Sequence, residues 1–510
     1  MPLQLTSLDV LAFLLTAVFL YRLSGHQKTR KLLPPGPSGL PLVGNILDMP
    51  TSHEWKVFTQ WGEKWGGIVS VTLLGQHFVI LNSHKHAVSL LEKRSSIYSD
   101  RPKLHIAGDV IGWARTLVLS PYGPTFREIR RLFAQLFGTR DSMARFVPLV
   151  EAETSRFLVR LLGDADSHNV DVSKTAGAII LEISFGYKVK ERDDPVVNAV
   201  SHAAEQFSFA TSPGAFLADI LPILLYVPEW CPGAGWKRKA AAWAKNFIVM
   251  CDVPFNFVKE QIAAGTAAPS FTSLHLEGGI DPEREYCIKM AAASIYSGGA
   301  DTTVSAINTF FLAMMLFPEA QKKAQAEIDA VVGNERLPVN DDRTSLPYVT
   351  ALFHEVIRWN PVAPLGVPHR LIEDDVYEGY VFPKGTIFIP NIWCFLHDSN
   401  TYADPLAFKP ERFMPSENKK PEKDPRVLAF GFGRRVCPGI QLADISVFLS
   451  IAMTLAVFEI SKADGDPVLS PSEVEYTTGI ISHPPPFRCT LKPRSAQSEK
   501  LLHSLQGIHD

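Results

Sequence analysis

The chain has 510 residues, 46% of them hydrophobic, 20% charged and 10% aromatic, which is apolar enough to bury a large core and marks it as globular. With 50 basic against 53 acidic residues and a formal net charge of -3, it has no overall attraction for nucleic acid, so any basic partner site must be local. Cys231, Cys251, Cys287, Cys394, Cys437 and Cys489 stand far apart and form no CxxC or CxxC…HxxxH zinc spacing; five of them read as free thiols in a reducing compartment.

From Leu5 to Tyr21 the sequence LTSLDVLAFLLTAVFLY is mostly apolar and matches the ~17 residues that a membrane-crossing helix needs at minimum. Asp9 lies near its start, and Arg22, Lys28, Arg30 and Lys31 follow it, the reverse of a secretory signal. Residues 1–24 are therefore expected to form a single-pass N-terminal transmembrane anchor, with the body of the chain held on the cytosolic side. The plain alternative is a buried or interfacial helix. Pro34, Pro35, Pro37 and Pro41 stop a helix from continuing, so residues 25–45 read as a basic and proline-rich hinge. No linker, charge block or repeat divides the rest, which reads as one unit over 46–493 with a frayed polar tail over 494–510.

Glu128/Arg131 and Glu153/Arg156 share the i,i+3 spacing of ExxR, which usually marks a solvated surface pair. The apolar run from Met290 to Phe317 is long enough for a central buried helix, yet it contains GlyGlyAlaAspThrThr at 298–303. Two glycines in a helix interior cost roughly 2 kcal/mol relative to alanine, so another requirement must place them there. Glu355 and Arg358 repeat the ExxR spacing, and Arg358 stands where a zinc protease would need the second His of HExxH.

Residues 430–439 read PheGlyPheGlyArgArgValCysProGly, with Phe430, Gly433, Arg435, Cys437 and Gly439 in the pattern FxxGxRxCxG. A thiolate bound to iron needs donors around its sulfur, and glycines on both sides let the backbone turn so that N–H groups point at it. A dinucleotide loop is excluded because the third glycine of GxGxxG is absent after Gly431 and Gly433.

On this loop, and on SerLeuProTyrValThr (345–350) and SerHisProProProPhe (482–487), the chain resembles the cytochrome P450 haem-thiolate monooxygenases over nearly its whole length. More narrowly it resembles the fungal class that includes O-methylsterigmatocystin oxidoreductase. The resemblance implies a mainly α fold with small β-sheets, and a haem (iron protoporphyrin IX) whose axial ligand is the Cys437 thiolate. It also implies a local opening of the 290–317 helix, with Asp301 and Thr302 as the acid–alcohol pair that manages protons during dioxygen activation. Arg412, in ProGluArgPhe (410–413), would complete a buried structural network with Glu355 and Arg358. Arg130, His369 and Arg435 would pair with the haem propionates. One departure stands out: Phe126 begins PheArgGluIleArgArg (126–131) where the family usually has Trp, so an indole N–H is lost and only ring packing remains.

The implied reaction inserts one oxygen atom from dioxygen into a small hydrophobic metabolite, in fungal secondary metabolism at the endoplasmic reticulum membrane. Only about 70 residues follow the cysteine loop, too few for a flavin domain, so electrons would come from NADPH through a separate reductase. Arg127, Arg131, Lys419, Lys420, Lys423 and Arg434 would suit an acidic partner. Substrate walls are expected at 103–119, 207–216, 292–298, 362–367 and 477–481, with Tyr296 and Thr478 as polar exceptions. The apolar stretch 221–230 would either dip into the membrane or pack on the core. Two alternatives stay open: a haem-thiolate isomerase or dehydratase that needs no reductase, against which the Asp301–Thr302 pair argues, and a haem-binding protein without turnover.

Overall fold

A computed structural model describes residues 32–163, 168–190, 194–212, 215–417, 420–463 and 470–509. The expected anchor over 1–24, the first part of the hinge and Lys419 lie outside the described residues. The chain divides into two compact units, the smaller made of residues up to Pro102 together with Pro368–Asn391, the larger of Lys103–Val367 and the chain from Ile392 onward. No linker marks this division in the sequence, because the smaller unit is assembled from two separated stretches.

The smaller unit holds α1 (Glu54–Trp65), β1 (Ile68–Leu73), β2 (Gln76–Leu81), β3 (His369–Arg370), β4 (Asp375–Tyr377), β5 (Tyr380–Phe382) and β6 (Ile387–Pro390). β1 and β2 form a hairpin through Leu74 and Gly75, both at positive φ, the turn that matches the natural twist of the strands. β6 adds parallel to β2 with Phe78 beside Ile387, and β3 closes the sheet antiparallel to β6.

The larger unit is mainly helical, as expected. Its long helices are α2 (Pro124–Phe137), α3 (Val147–Gly163), α4 (His168–Phe185), α5 (Pro195–Thr211), α6 (Gly235–Ala264), α7 (Pro282–Leu316), α8 (Pro318–Val331), α9 (Pro347–Trp359) and α10 (Ile440–Val457); the hairpin of β7 (Phe458–Lys462) and β8 (Cys489–Pro493) and helix α11 (Ala496–His509) follow. One continuous apolar cluster runs from Ile106 to Leu502. α7 starts cleanly because the Asp281 carboxylate accepts from the Arg284 N–H at 2.8 Å and Pro282 fills the first helical position. It stops where Pro318 follows Phe317. Being apolar on all sides, it packs against α2, α4, α6 and α10 and carries the centre of the core.

Helix α9 has no cap of its own at Leu346. Its first turn is satisfied by Glu327 of α8, whose two carboxylate oxygens accept from the Tyr348 and Val349 N–H groups, each at 2.9 Å. Among the described residues α10 is long and apolar enough to cross a membrane, but 72% of it is buried inside the protein, as befits a core helix. The expected polar tail is instead α11. Leu501, Leu502 and Leu505 lie at helical spacing within it and pack on the core, with Leu502 fully buried.

Candidate active site

The cysteine loop is shaped by two glycines and closed by one backbone bond. Gly431 and Gly433 sit at φ 80° and 56°, which side chains avoid, and the Cys437 N–H donates to the Phe430 carbonyl at 2.8 Å. Gly439 behaves differently from the expectation of glycine turns on both sides. Its φ is −90°, and what it offers is its N–H, which lies toward the Cys437 sulfur and favours the thiolate. Helix α10 begins at the next residue, so the positive end of its dipole lies at the sulfur.

Burial pushes the Cys437 thiol up from its ordinary value, and the Gly439 N–H and the Arg130 charge oppose that rise. The same residue keeps part of its surface open.

Two arginines stand beside this loop. Arg130 of α2 donates from Nη1 to the Val436 carbonyl at 2.7 Å, which sets its charge next to Cys437. Arg435 is buried; its Nη2 donates to the Ser120 carbonyl at 2.7 Å and its Nη1 to the Leu117 carbonyl at 3.3 Å. Phe126 is buried beneath it, presenting a ring face to the guanidinium.

Helix α7 is buried from Met290 to Tyr296 and again from Val304 to Met314, yet each residue from Ser297 to Thr303 keeps accessible surface. That turn borders a space in the middle of an enclosed helix. Its two glycines serve different ends: a methyl group on Gly298 would meet nothing within 4 Å, whereas one on Gly299 would lie 2.5 Å from Ile180 Cδ1. Gly298 keeps the space open, and Gly299 lets α4 and α7 close together. The expected local opening of the helix is not seen. α7 is helical throughout, and the Thr302 hydroxyl donates to the Gly298 carbonyl at 2.8 Å, the usual back-bond of a helix threonine. Asp301 meets a residue to which the sequence reading gave no role: His483 Nε2 lies 3.3 Å from its Oδ2.

The donor set fits a haem. It combines one soft, desolvated sulfur with a backbone N–H beside it and two fixed guanidinium groups of the kind that clamp carboxylates. The sequence model of the cytochrome P450 family matches residues 34–491. This chain belongs to the cytochrome P450 family. It is similar to cytochrome P450 monooxygenase 208 of Postia placenta, at 57% identity over 98% of each chain. It is also similar to cytochrome P450 monooxygenase claR of Ampulloclitocybe clavipes, at 47% over 96% of this chain and 92% of that one. Cytochrome P450 monooxygenase ppsD of Aspergillus oryzae is 41% identical over 94% and 92%.

Elsewhere in this cytochrome P450, Glu355, Arg358 and Arg412 meet inside the larger unit. Arg358 reaches the Glu355 carboxylate through Nε at 2.7 Å and Nη2 at 2.8 Å, and Arg412 Nε lies 3.1 Å from it. Glu422, which the sequence reading passed over, takes Arg412 Nη1 at 2.7 Å. By contrast Glu128 and Arg131, at the same spacing, pair at 2.7 Å on the surface. His369 lies in the smaller unit, buried, with Nδ1 2.7 Å from the Tyr98 carbonyl. Tyr296 is not a polar wall of a pocket: it is fully buried, its hydroxyl donates to the Val196 carbonyl at 3.0 Å, and its ring meets Phe185 edge-on. Thr478 is exposed. Arg127, Arg131, Lys420, Lys423 and Arg434 are all exposed.

Proposed function

We propose that this chain is a haem-thiolate monooxygenase that inserts one oxygen atom from dioxygen into a small hydrophobic metabolite, with Cys437 as the iron ligand. The observation that carries this is the desolvated Cys437 sulfur, set beside the Gly439 N–H at the start of α10 and the Arg130 charge. Arg130 and Arg435 would hold the two propionates, and Phe430 and Gly439 belong to the loop that seats the ligand. Haem, when bound, supplies dioxygen binding and the transfer of one oxygen atom.

The chain's own part is to exclude water, orient the substrate and place protons. Thr302 Oγ1 spends its hydrogen bond on the Gly298 carbonyl; rotation about χ1, which has two accessible wells for a helix threonine, would turn the hydroxyl toward the space that Gly298 leaves open. Asp301 would then resupply that hydroxyl. Glu355, Arg358 and Arg412 would fix the segment leading into the cysteine loop.

We further read the chain as a single-pass endoplasmic reticulum membrane protein that draws electrons from an NADPH-dependent reductase and works in fungal secondary metabolism. The exposed basic side chains named above support an acidic redox partner. Membrane contact is supported by the 221–230 stretch, where Leu224 and Leu225 pack on the core but Ile223, Tyr226 and Trp230 are 73%, 85% and 82% exposed.

The deciding experiment is the spectrum of reduced protein with carbon monoxide. Wild type gives a thiolate-type Soret band, and Cys437→Ala loses it; a variant that kept the band would remove Cys437 as the ligand.

A further inference from the structure

Asp301 faces a histidine presented by a loop that is unusually well fastened. The loop closes on itself: the Thr477 N–H donates to the His483 carbonyl at 2.9 Å, and the His483 N–H donates to Thr477 Oγ1 at 2.8 Å. The Ser482 N–H donates to the Val362 carbonyl at 2.8 Å, and the Ser305 hydroxyl of α7 donates to the Ser482 carbonyl at 2.5 Å. Gly479 turns the chain at φ 126°, where a side chain would be strained and its Cβ would lie 3.0 Å from Ser208 Oγ. Pro484, Pro485 and Pro486 then stiffen the exit.

Both backbone groups of His483 are therefore held, and its ring projects from a fixed point. Asp301 and Ser305 are four residues apart, so they share one face of α7 and meet the loop one turn apart. His483 and Asp301 side chains are 25% and 28% exposed, so the pair is weakly screened from solvent and its worth lies in orientation rather than in ion-pair strength.

We propose that His483 is the positioning residue for Asp301: its Nε2–H holds the Asp301 carboxylate in the rotamer that serves Thr302. This rests on the reading of Asp301 and Thr302 as the proton-managing pair. It adds a member from a loop 182 positions away in sequence, and it makes the seat of that carboxylate depend on the same loop that carries residues 477–481 of the expected substrate wall.

The test uses full-length haem-loaded protein, reduced, with carbon monoxide as the probe. The infrared C–O stretching band of that complex reports on polar groups around the bound gas without any substrate. His483→Ala and Asp301→Asn should each move the band by more than its wild-type width and in the same direction, and the double variant should move it no further than either. His483→Gln, which keeps an N–H donor, should hold the wild-type position. Amide hydrogen exchange over 477–483 should be unchanged in His483→Ala, because backbone bonds and not the ring clamp the loop. The proposal is overturned if His483→Ala leaves the band in place, if His483→Gln shifts it as far as alanine does, or if His483→Ala raises exchange across the loop, which would mark a merely structural role. Should Asp301→Asn leave the band unmoved, or wild type show no thiolate-type Soret band, the underlying reading fails and the proposal falls with it.

Discussion

The guanidinium of Arg435 lies over the ring of Phe126, its central carbon 3.8 Å from the ring centre. The family residue expected at 126 is a tryptophan; phenylalanine keeps the flat face and drops the N–H. The cation and the ring, 309 positions apart, therefore hold each other in place two residues from Cys437, the proposed iron ligand. Phe126→Ala should lower stability by about 3–5 kcal/mol, as buried Phe truncations do, and should also lower the haem-to-protein ratio of purified enzyme because Arg435 loses its platform. Soret absorbance relative to protein absorbance, read beside the thermal midpoint, checks both.

Glu355–Arg358 and Glu128–Arg131 share one spacing and differ in burial, which sets up a direct comparison. Glu355→Gln strands the buried Arg358 charge, while Arg412 keeps Glu422, and should cost about 3–5 kcal/mol. Glu128→Gln breaks an exposed pair and should cost under about 1 kcal/mol. Urea unfolding of the two variants side by side measures the difference; equal losses would mean that burial is not what distinguishes the pairs.

The two glycines of α7 should respond in opposite ways to the same methyl group. Gly299→Ala drives a carbon to 2.5 Å from Ile180 Cδ1, an overpacking that costs about 1–3 kcal/mol, and Ile180→Val should recover part of it by removing that atom. Gly298→Ala meets nothing. It should leave stability equal or up to about 1 kcal/mol higher through helix propensity, while changing the haem spin-state response to added ligands. Melting curves and optical ligand titrations separate the two effects.

His354 is partly buried next to Glu355, and its buried Nε2 lacks a hydrogen-bond partner. Desolvation lowers its pKa from 6.5 to about 4, against a smaller upward pull from Asp424. The folded state therefore binds this proton less readily than the unfolded chain does. Its contribution is fully present above pH 6.5 and declines as the pH falls toward 4, by up to about 3 kcal/mol at 1.36 kcal/mol per unit. Urea midpoints measured between pH 7.5 and 5 should fall for wild type and fall less steeply for His354→Phe.

The cysteine loop was legible because all its chemistry lies within ten consecutive residues, where spacing alone specifies the pattern. Long-range relations were not. Nothing in the ExxR spacing separates Glu355 from Glu128, since burial depends on chain far away, and neither Glu422 nor His483 carries a local signal of its partner. Tyr296 reads as a pocket residue by position in the helix, but its side chain falls on the face toward Phe185 and Val196. The tail looked polar by composition, and only the spacing of Leu501, Leu502 and Leu505 hinted at α11. The missing opening in α7 shows the limit of analogy: the glycine pair is present, and each glycine has a different local reason to be there.

The parallel pairing of β2 with β6 has a consequence for synthesis on the ribosome. The hairpin of β1 and β2 emerges early, but its neighbour Ile387–Pro390 emerges some three hundred residues later. At about 5–20 residues per second, the backbone groups along the open side of β2 stay uncovered for on the order of 15–60 s. An unprotected strand edge invites pairing with other chains, so the yield of soluble enzyme should depend on translation speed and on holding chaperones through that interval.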